Sequence, residues 1–584
     1  MTTATLIPVA TLDELGTRPR VVRVEGKQIA LFRVEDRVYA VDNRCPHMGY
    51  PLAQGTVKGD TITCDWHNWK FNLDDGRCVL RGSEDTRSYP VTVEAGRILI
   101  DIADPPVEEQ MARHLKSLAR GLRRFDDGAV ARDAARLMAL GMLPAEVMRQ
   151  GAIHNAEREE FGWGHALAVI ADCASFTEFY PGSEVAIPVV RALWASADPV
   201  RRFRERPHAA ASAASREGEA EFRRRIDDED VDGAEAWLRG ALDDGLPGDE
   251  LSRWLTNAAS DHFLGFGHQA IYVFKAQQFA EKVGWDALKA IIPSIVPSIT
   301  WATRYDRLPE MRKYTARLKA VEHELPGLAA RQRGRPTATF DAPRFRNGVL
   351  FGKGDAAFEA VHGALSAGVP VDTIARELAL AASERMLLMD LDWETTHEER
   401  AWDEGGWLEV THLLTHANAS RQLLRRRITP ESLRHLYHNA WFINYQKRFD
   451  GPGRADRLLP AVAAGTPDEL AARYREAVQR RDFDHALGAV QAWEASGWDT
   501  APLLSAMAHE AVEVDDGQFI MIAHVLKTVH TAIQEHRSDA GGAGAFLPLM
   551  AASRYIASPR KQRPVYDSAL NAVRFVNSGA ARAV

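Results

Sequence analysis

Two short segments near the start of the chain each pair a cysteine with a histidine. They are residues 45–47 (CPH) and 64–67 (CDWH), with sixteen residues between them. Two thiolates and two imidazoles in two loops can hold a [2Fe–2S] cluster, with both cysteines on one iron and both histidines on the other. The same donors also suit a tetrahedral zinc ion. These four side chains constrain the N-terminal fold more than any other feature: Cys45, His47, Cys64 and His67.

The residues around these two loops form short β-rich runs separated by turn signals. VVRV, IALFRV, RVYAV, TITC and RILIDI are divided by pairs such as Glu25-Gly26, a spacing typical of a small antiparallel β domain. Residues 103–106 (ADPP) then end the last strand. We therefore predict an all-β domain over residues 1–104.

The residues that flank the two loops favour one cofactor. CPHMGYPLAQG and CDWHNWKFNLDDGRC resemble the cluster loops of Rieske ferredoxin-type domains, over about residues 5–102. The resemblance implies a [2Fe–2S] cluster of the oxygenase-linked type, with its histidine ligands at an exposed tip. Asn68 departs from the pattern, because such loops usually carry glycine there. The remaining cysteines, Cys78 and Cys173, are predicted to be packing residues.

Beyond residue 104 the pattern becomes helical, with apolar residues recurring at intervals of three and four. Four segments share a helix that ends near a glycine, a second helix that begins around a proline or an acidic cap, and then a helix that carries a histidine. We predict a multi-domain protein, with the all-β domain followed by a large all-α catalytic domain over residues 105–584. The predicted helical repeats in that domain span approximately residues 128–200, 232–310, 355–450 and 485–560.

Four histidines occupy corresponding positions in these repeats: His165, His268, His412 and His524. Pseudo-symmetric stacking would bring them to one axis, and convergent imidazoles bind iron, zinc or copper. Two further side chains share a helix face with them and are predicted to take part in catalysis. Lys527 follows His524 by three residues, and His416 follows His412 by four.

The histidine-bearing blocks FGWGHALAVIADC, FLGFGHQAIYVF, THLLTHANASRQLL and HVLK resemble the helical core of the questin oxidase-like family. Those proteins are iron-dependent oxidases of polyketide-derived aromatic rings. The resemblance implies that the four histidines bind one mononuclear non-haem iron, and that Lys527 is a further ligand, which could coordinate as a carbamate. The family often has H-x-x-H at the first block, so His154 is a substitute for His165.

Two other iron sites remain open from the residues alone. Asn257, Asp261, His262 and His268 are the nearest match to the facial triad of ring-hydroxylating oxygenases. Two Glu-x-x-His units provide the pattern of a ferritin-like di-iron site: Glu359 with His362, and Glu409 with His412.

Composition narrows the setting of this chemistry. The formal net charge of −8 and the lack of long basic runs argue against nucleic acid as a partner. The first twenty residues lack a signal-peptide pattern, and no apolar stretch is long enough to span a membrane, so a cytoplasmic protein is expected.

We predict a Rieske-type non-haem iron oxygenase that receives electrons from an external ferredoxin or reductase. O₂ and a small organic, aromatic molecule would be its substrates, and a homo-oligomer could bring cluster and iron together. The alternative from another class is an electron-transfer or redox-sensing protein whose helices only dock a partner.

Overall fold

The structure is a computed structural model that describes residues 6–80, 82, 84–206, 209–212, 218–332, 340–395, 406–451, 459–513, 518–559, 569, 572–573 and 576. The chain divides into two compact units, Met1–Gln150 and Gly151–Val584. The first contains the sheets, and the second is helical.

The first unit begins with a series of short strands and one short helix, α1 (Leu12–Leu15). Strong β-formers and aromatic residues alternate with polar ones along them, as a half-buried strand requires. The strands are β1 (Leu6–Thr11), β2 (Arg20–Val24), β3 (Lys27–Val34), β4 (Arg37–Asp42), β5 (Thr56–Lys58), β6 (Thr61–Thr63), β7 (Lys70–Asn72), β8 (Cys78–Leu80), β9 (Ser88–Tyr89), β10 (Val91–Glu94) and β11 (Arg97–Asp101).

These strands pair in three antiparallel sheets, ordered β1-β11-β10, β2-β3-β4-β9 and β5-β6-β7-β8. The third sheet carries the second cysteine–histidine loop at the β6–β7 hairpin, where Thr63 pairs with Lys70. Its core consists of Ile62, Phe71 and Trp69, packed with Phe32 from β3. The predicted N-terminal all-β domain and the helical region after it are confirmed.

Two helices continue the first unit beyond the predicted boundary at residue 104. They are α2 (Val107–Arg124) and α3 (Asp127–Ala139), which pack against each other. Asp126 caps α3 by accepting the N–H of Ala129 at 3.0 Å. Helices α2 and α3 form a helical hairpin. Arg124 at the end of α2 donates to the carbonyl of Gly82 at 3.4 Å, so this helical hairpin also contacts the loop after β8.

Further helices of four to twenty residues build the rest of the described chain, joined in places by 3₁₀ turns. The α-helices are α4 (Pro144–Ala156), α5 (His165–Phe176), α6 (Ala186–Ala197), α7 (Gly218–Asp227), α8 (Val231–Asp243), α9 (Gly248–Ser260), α10 (His268–Val283), α11 (Trp285–Leu288), α12 (Ile295–Thr300), α13 (Arg312–Val321), α14 (Leu325–Arg331), α15 (Ala342–Phe351), α16 (Ala356–Ser366), α17 (Val371–Leu388), α18 (Asp392–Thr395), α19 (Trp407–Arg426), α20 (Arg434–Tyr445), α21 (Pro467–Gln479), α22 (Phe483–Ser496), α23 (Ala501–Glu513), α24 (Phe519–Ser538) and α25 (Leu547–Ala557).

Four of these helices close into a ring in the second unit. Helix α5 packs against α10 and α24, and α19 packs against the same two helices. Each ring helix comes from a different predicted repeat; parts of the third and fourth, residues 396–405 and 514–517, lie outside the described residues. No helix in the described part of the chain combines the length and apolar character that a membrane span requires.

Candidate metal centres

The two cysteine–histidine loops of the first unit share one backbone geometry. In each loop the cysteine N–H donates to the carbonyl five residues later, and the cysteine carbonyl accepts the N–H four residues later, at 2.8 Å in all four bonds. The residue four positions after the cysteine has a left-handed backbone, with φ of 81° at Gly49 and 64° at Asn68. Asn68 therefore adopts the conformation that usually favours glycine, and it makes the same amide bond as Gly49.

The four donor side chains of these loops face one another. Cys45 and Cys64 are 1% exposed, and the ring centroids of His47 and His67 lie 4.5 Å apart. Burial raises the pKa of the Cys45 thiol to about 12, so a nearby cation is needed to stabilise its thiolate. The buried Nδ1 atom of His47 has no hydrogen-bond partner. A two-cysteine, two-histidine set with an unpartnered imidazole nitrogen fits the ligands of a [2Fe–2S] cluster.

Residues that sequence reasoning passed over surround these four donor side chains. The ring of Trp69 stacks on His47 at a centroid distance of 4.7 Å, and a Cβ atom on Gly82 would lie 2.4 Å from the Trp69 ring. Trp66 and Met48, next to His67 and His47 in the chain, are 54% and 60% exposed. The motif C-x-x-H-x-W was the available signal for Trp69, but its stacking depends on loops that are apart in sequence.

The four repeat histidines meet inside the helical ring. His165 and His268 are the first residues of α5 and α10, while His412 and His524 are each the sixth residue of α19 and α24. One ring nitrogen from each lies within 4.8 Å of the others. The Nε2 of His268 is 3.1 Å from that of His165 and 2.8 Å from that of His412, and His412 and His524 are 3.3 Å apart by the same atoms.

Hydrogen bonds at the far nitrogens orient two of these imidazoles. The Nδ1–H of His268 donates to the carbonyl of Gly265 at 2.5 Å, and that of His524 donates to Ile520 at 2.7 Å. Each bond leaves the Nε2 lone pair directed into the ring of helices, which is the usual arrangement of a metal-binding histidine. Nitrogens bound to one ion at about 2.1 Å would lie about 3 to 4 Å apart, close to the spacing seen here.

Electrostatics keep this group uncharged. Burial, followed by the neighbouring Lys527, lowers the pKa of all four imidazoles, that of His268 to about 3. Neutral imidazole is the form that binds metal. The Nε2 lone pairs of His268 and His524 point into this group of neutral imidazoles, so the donor set fits a divalent metal ion.

Of the two predicted catalytic side chains, only Lys527 contacts the histidine group. Its Nζ atom lies 3.1 Å from the Nε2 of His412, and burial lowers the Lys527 pKa to about 7. His416 lies outside the group. Its ring packs beside Gly267, where an added Cβ atom would lie 2.4 Å from it, and beside the ring of Phe263 at 5.6 Å.

A second buried polar cluster lies about two helical turns further along the same helices. Asp172 is seven residues after His165, and Lys275 is seven after His268. Lys275 Nζ donates to Asp172 at 2.5 Å, and the Nδ1 of His530 is 3.0 Å from the same carboxylate oxygen. The electrostatic influence of Asp172 reaches Lys527 and opposes the lowering of its pKa.

The histidine group has a partly exposed side. His165 and His268 are partly exposed, whereas His412 and His524 are buried. Phe266 is also partly exposed, and its ring lies 6.1 Å from His412 and 4.3 Å from the ring of Tyr305. Sequence reasoning missed these two residues because they belong to separate segments.

Tyr272 and Glu159 are further residues that the sequence did not single out. The hydroxyl of Tyr272 is 3.2 Å from the Nδ1 of His165. Burial raises the pKa of Glu159 to about 7, and Asn155 donates to its carboxylate at 3.3 Å. An added Cβ atom on Gly164, next to His165, would be 3.6 Å from that carboxylate.

The structure gives the residues of the facial-triad alternative other partners. His262 hydrogen-bonds Asp306 and Asp227, and Asp261 pairs with Arg223. Within the described residues, neither they nor Asn257 or the substitute His154 join the convergent group.

The di-iron alternative is likewise not assembled in the described part of the chain. Glu359 pairs with Arg317, and His362 contacts the hydroxyl of Tyr437 at 3.0 Å. Glu409 instead accepts hydrogen bonds from Gln446 and Arg448. The two Glu-x-x-His units therefore do not converge, and His412 joins the other three histidines.

Comparisons with known proteins concern the first unit. Residues 5–90 match the Rieske [2Fe-2S] domain. The ferredoxin component of the naphthalene 1,2-dioxygenase system of Pseudomonas aeruginosa is 36% identical over 83 residues, which are 14% of this chain and 80% of that protein. The 4beta-methylsterol monooxygenase of Methylococcus capsulatus is 37% identical over 100 residues, which are 15% of this chain and 27% of that protein.

Among solved structures, the ferredoxin of carbazole 1,9a-dioxygenase from Nocardioides aromaticivorans IC177 is 31% identical. The match covers 17% of this chain and 98% of that one, with a TM-score of 0.16. These relatives are oxygenases or ferredoxins of oxygenase systems.

Proposed function

Through residues 5–90 this chain belongs to the Rieske [2Fe–2S] family, and we propose that it is an oxygenase that passes electrons from the cluster to a mononuclear non-haem iron. In this proposal the cluster is held by Cys45, His47, Cys64 and His67. The same four donors could bind zinc, but the Rieske domain favours the [2Fe–2S] cluster. His165, His268, His412 and His524 hold the iron, and the substrates are O₂ and an organic molecule.

The convergence of four imidazole Nε2 atoms in the helical ring carries this proposal. Two of the four are oriented by Nδ1–H bonds to carbonyls, and all four are kept neutral by burial. Imidazole ligands suit iron, zinc and copper alike. The Rieske domain favours a redox-active metal over zinc, because its electrons need an acceptor, and the resemblance to questin oxidase-like proteins implies iron. Bound iron would supply the activation of O₂.

Three side chains near the four histidines support the proposed iron site. Lys527 is 1% exposed and directs its Nζ atom to His412, so it can act as a further ligand, free or as a carbamate, or hold a proton at the site. Tyr272 supports His165 through its hydroxyl. His416 packs behind Gly267 and supports the turn that precedes His268, which is a positioning role.

An aromatic substrate is the class that the open side of the group fits best. The resemblance to questin oxidase-like proteins implies such a substrate, and the rings of Phe266 and Tyr305 offer flat faces near His412. An external ferredoxin or reductase would supply the electrons, since we found no nicotinamide or flavin motif in the sequence. Assembly into a homo-oligomer remains part of this proposal.

Metal content tests the proposal most directly. We expect about three irons and two acid-labile sulfides per chain, and about four irons would favour a di-iron site. Two irons, two sulfides and no other metal would instead leave an electron-transfer or redox-sensing protein whose helices serve as a docking surface.

Variants of single histidines test the ligand assignment. His268→Gln and His524→Gln should each lose the third iron while keeping the visible spectrum of the cluster. The matched control is His438→Gln, because His438 is also buried on a helix but bonds Ser260 and lies outside the group. Retention of the third iron by folded His268→Gln and His524→Gln proteins contradicts the assignment.

A further inference from the structure

A residue of α3 reaches the first cluster loop from 85 positions further along the chain. The Nη1 atom of Arg132 donates to the backbone carbonyl of His47 at 3.1 Å. Residue 132 lies beyond the matched Rieske domain, which ends at residue 90. The helical hairpin therefore contributes a cation directly to the loop that holds a cluster ligand.

A buried carboxylate holds this guanidinium in place. Glu84 is only 3% exposed, and it accepts the Nε–H of Arg132 at 2.7 Å and a second bond from Nη2 of the same guanidinium. Its other oxygen accepts a bond from Arg136, one turn further along α3. Fixing the guanidinium at two points leaves Nη1 free to donate to His47, so its direction is determined by the fold.

A second buried carboxylate bonds α3 to α2 within the helical hairpin. Asp133 is fully buried and binds Arg136 at 3.1 Å, while its Oδ1 atom lies 3.2 Å from the Nδ1 of His114 on α2. Because α2 and α3 are linked through this carboxylate, Arg132 cannot move away from the loop without disturbing a buried network.

We propose that Arg132 is a positioning residue that raises the reduction potential of the [2Fe–2S] cluster and fixes the His47 loop. Reduction adds one electron, and hence one negative charge, to the cluster. A guanidinium bonded to the ligand loop stabilises that charge and withdraws electron density through the His47 carbonyl. Asp126 and Glu84 act on His47 in the opposite sense, whereas Arg132 carries the positive charge and bonds the loop directly.

Arg136 provides a matched control, because it shares Glu84 with Arg132. Both arginines lie on α3, both carry one positive charge, and both bind the same carboxylate. Arg132→Gln and Arg136→Gln therefore remove the same charge from the same helix. Only the first removes the hydrogen bond to His47.

The experiment measures the reduction potential of the cluster in the full-length holoprotein, by a redox titration followed by visible circular dichroism at one fixed pH. We expect the potential of Arg132→Gln to fall below that of the wild type, and by clearly more than that of Arg136→Gln. Electron paramagnetic resonance of the reduced cluster should show shifted g values in Arg132→Gln alone. Equal shifts in the two variants, or no shift in Arg132→Gln, would overturn the proposal.

A conservative pair keeps the test decisive if Arg132→Gln does not retain its cluster. Arg132→Lys and Arg136→Lys preserve both charges, but lysine cannot bond Glu84 and His47 together as the planar guanidinium does. We expect a lowered potential in Arg132→Lys and a wild-type potential in Arg136→Lys. Identical potentials in both lysine variants would equally overturn the proposal.

Discussion

Asn68 shows how a single residue can keep the geometry of a loop while departing from its usual sequence. Its φ of 64° lies in the left-handed region, where asparagine is tolerated and β-branched residues are strained. Its N–H still bonds the Cys64 carbonyl at 2.8 Å. The departure from glycine therefore leaves the backbone around the second cysteine intact.

Substitutions at Asn68 should separate backbone conformation from side-chain chemistry. Asn68→Gly should hold the cluster as the wild type does, whereas Asn68→Val should destabilise the loop by about 1 to 2 kcal/mol because valine disfavours positive φ. The rate of cluster loss to a chelator, followed by visible absorbance, compares the three proteins. Equal rates for Asn68→Val and wild type would contradict this backbone account.

Glu159 should make the stability of the helical unit depend on pH. Burial raises its pKa from 4.5 to about 7, so the folded protein binds more protons than the unfolded chain between those values. The stability that this proton contributes is complete below about pH 4.5 and is lost as the pH rises through 7. Wild type should therefore lose about 1 to 3 kcal/mol relative to Glu159→Gln between pH 4.5 and 8.

Urea unfolding of the metal-free proteins at pH 5 and pH 8 measures this difference. The free energy of unfolding of Glu159→Gln should rise relative to that of the wild type when the pH is raised from 5 to 8. A stability difference that is the same at both pH values would show that the Glu159 carboxyl titrates normally in the folded protein.

At the scale of elements, a short turn determines where His268 lies. Residues Gly265–Gly267 all have positive φ, at 46°, 57° and 88°, so the chain reverses sharply before α10 begins at His268. A Cβ atom at Gly267 would lie 2.4 Å from the His416 ring. Glycine is required there for two reasons, its backbone conformation and the close approach of α19.

The two ends of α10 offer a matched pair of glycines. Gly267 and Gly284 have φ of 88° and 82°, but no atom lies within 4 Å of a Cβ built on Gly284. Gly267→Ala should weaken metal binding at the histidine group at least tenfold, whereas Gly284→Ala should cost only about 1 kcal/mol of stability. Titration with Co²⁺, followed by its visible absorbance, reports the affinity. Equal affinities in both variants would mean that the turn does not position His268.

At the scale of the whole helical unit, a buried ion pair links three of the ring helices. Lys275 on α10 and Asp172 on α5 are 1% and 0% exposed at their side chains, and His530 on α24 contacts the same carboxylate. A buried pair of this kind contributes little net stability, but breaking it strands a charge in the interior. We therefore expect the pair to favour the observed packing of α5, α10 and α24 over other arrangements of these helices.

Removal of Lys275 alone should cost more stability than removal of Lys275 and Asp172 together. Lys275→Met should destabilise the protein by about 3 to 5 kcal/mol because it leaves the Asp172 charge uncompensated, whereas Lys275→Met with Asp172→Leu should recover most of that loss. Urea unfolding at pH 7 compares the two with the wild type. A double variant no more stable than the single one would show that packing, rather than charge, is responsible.

The sequence by itself predicted the Rieske domain and the four side chains that we propose as its ligands, because each cysteine and histidine of a loop are within three residues of each other and the turn geometry is local. It also indicated which four helical histidines to compare. Only the tertiary structure brought them together, since His165, His268, His412 and His524 are separated by 103, 144 and 112 residues and meet through the closure of a helical ring. Arg132 and Trp69 were decided at that level too, because hydrogen bonds and stacking between distant segments leave no periodic signal in a sequence.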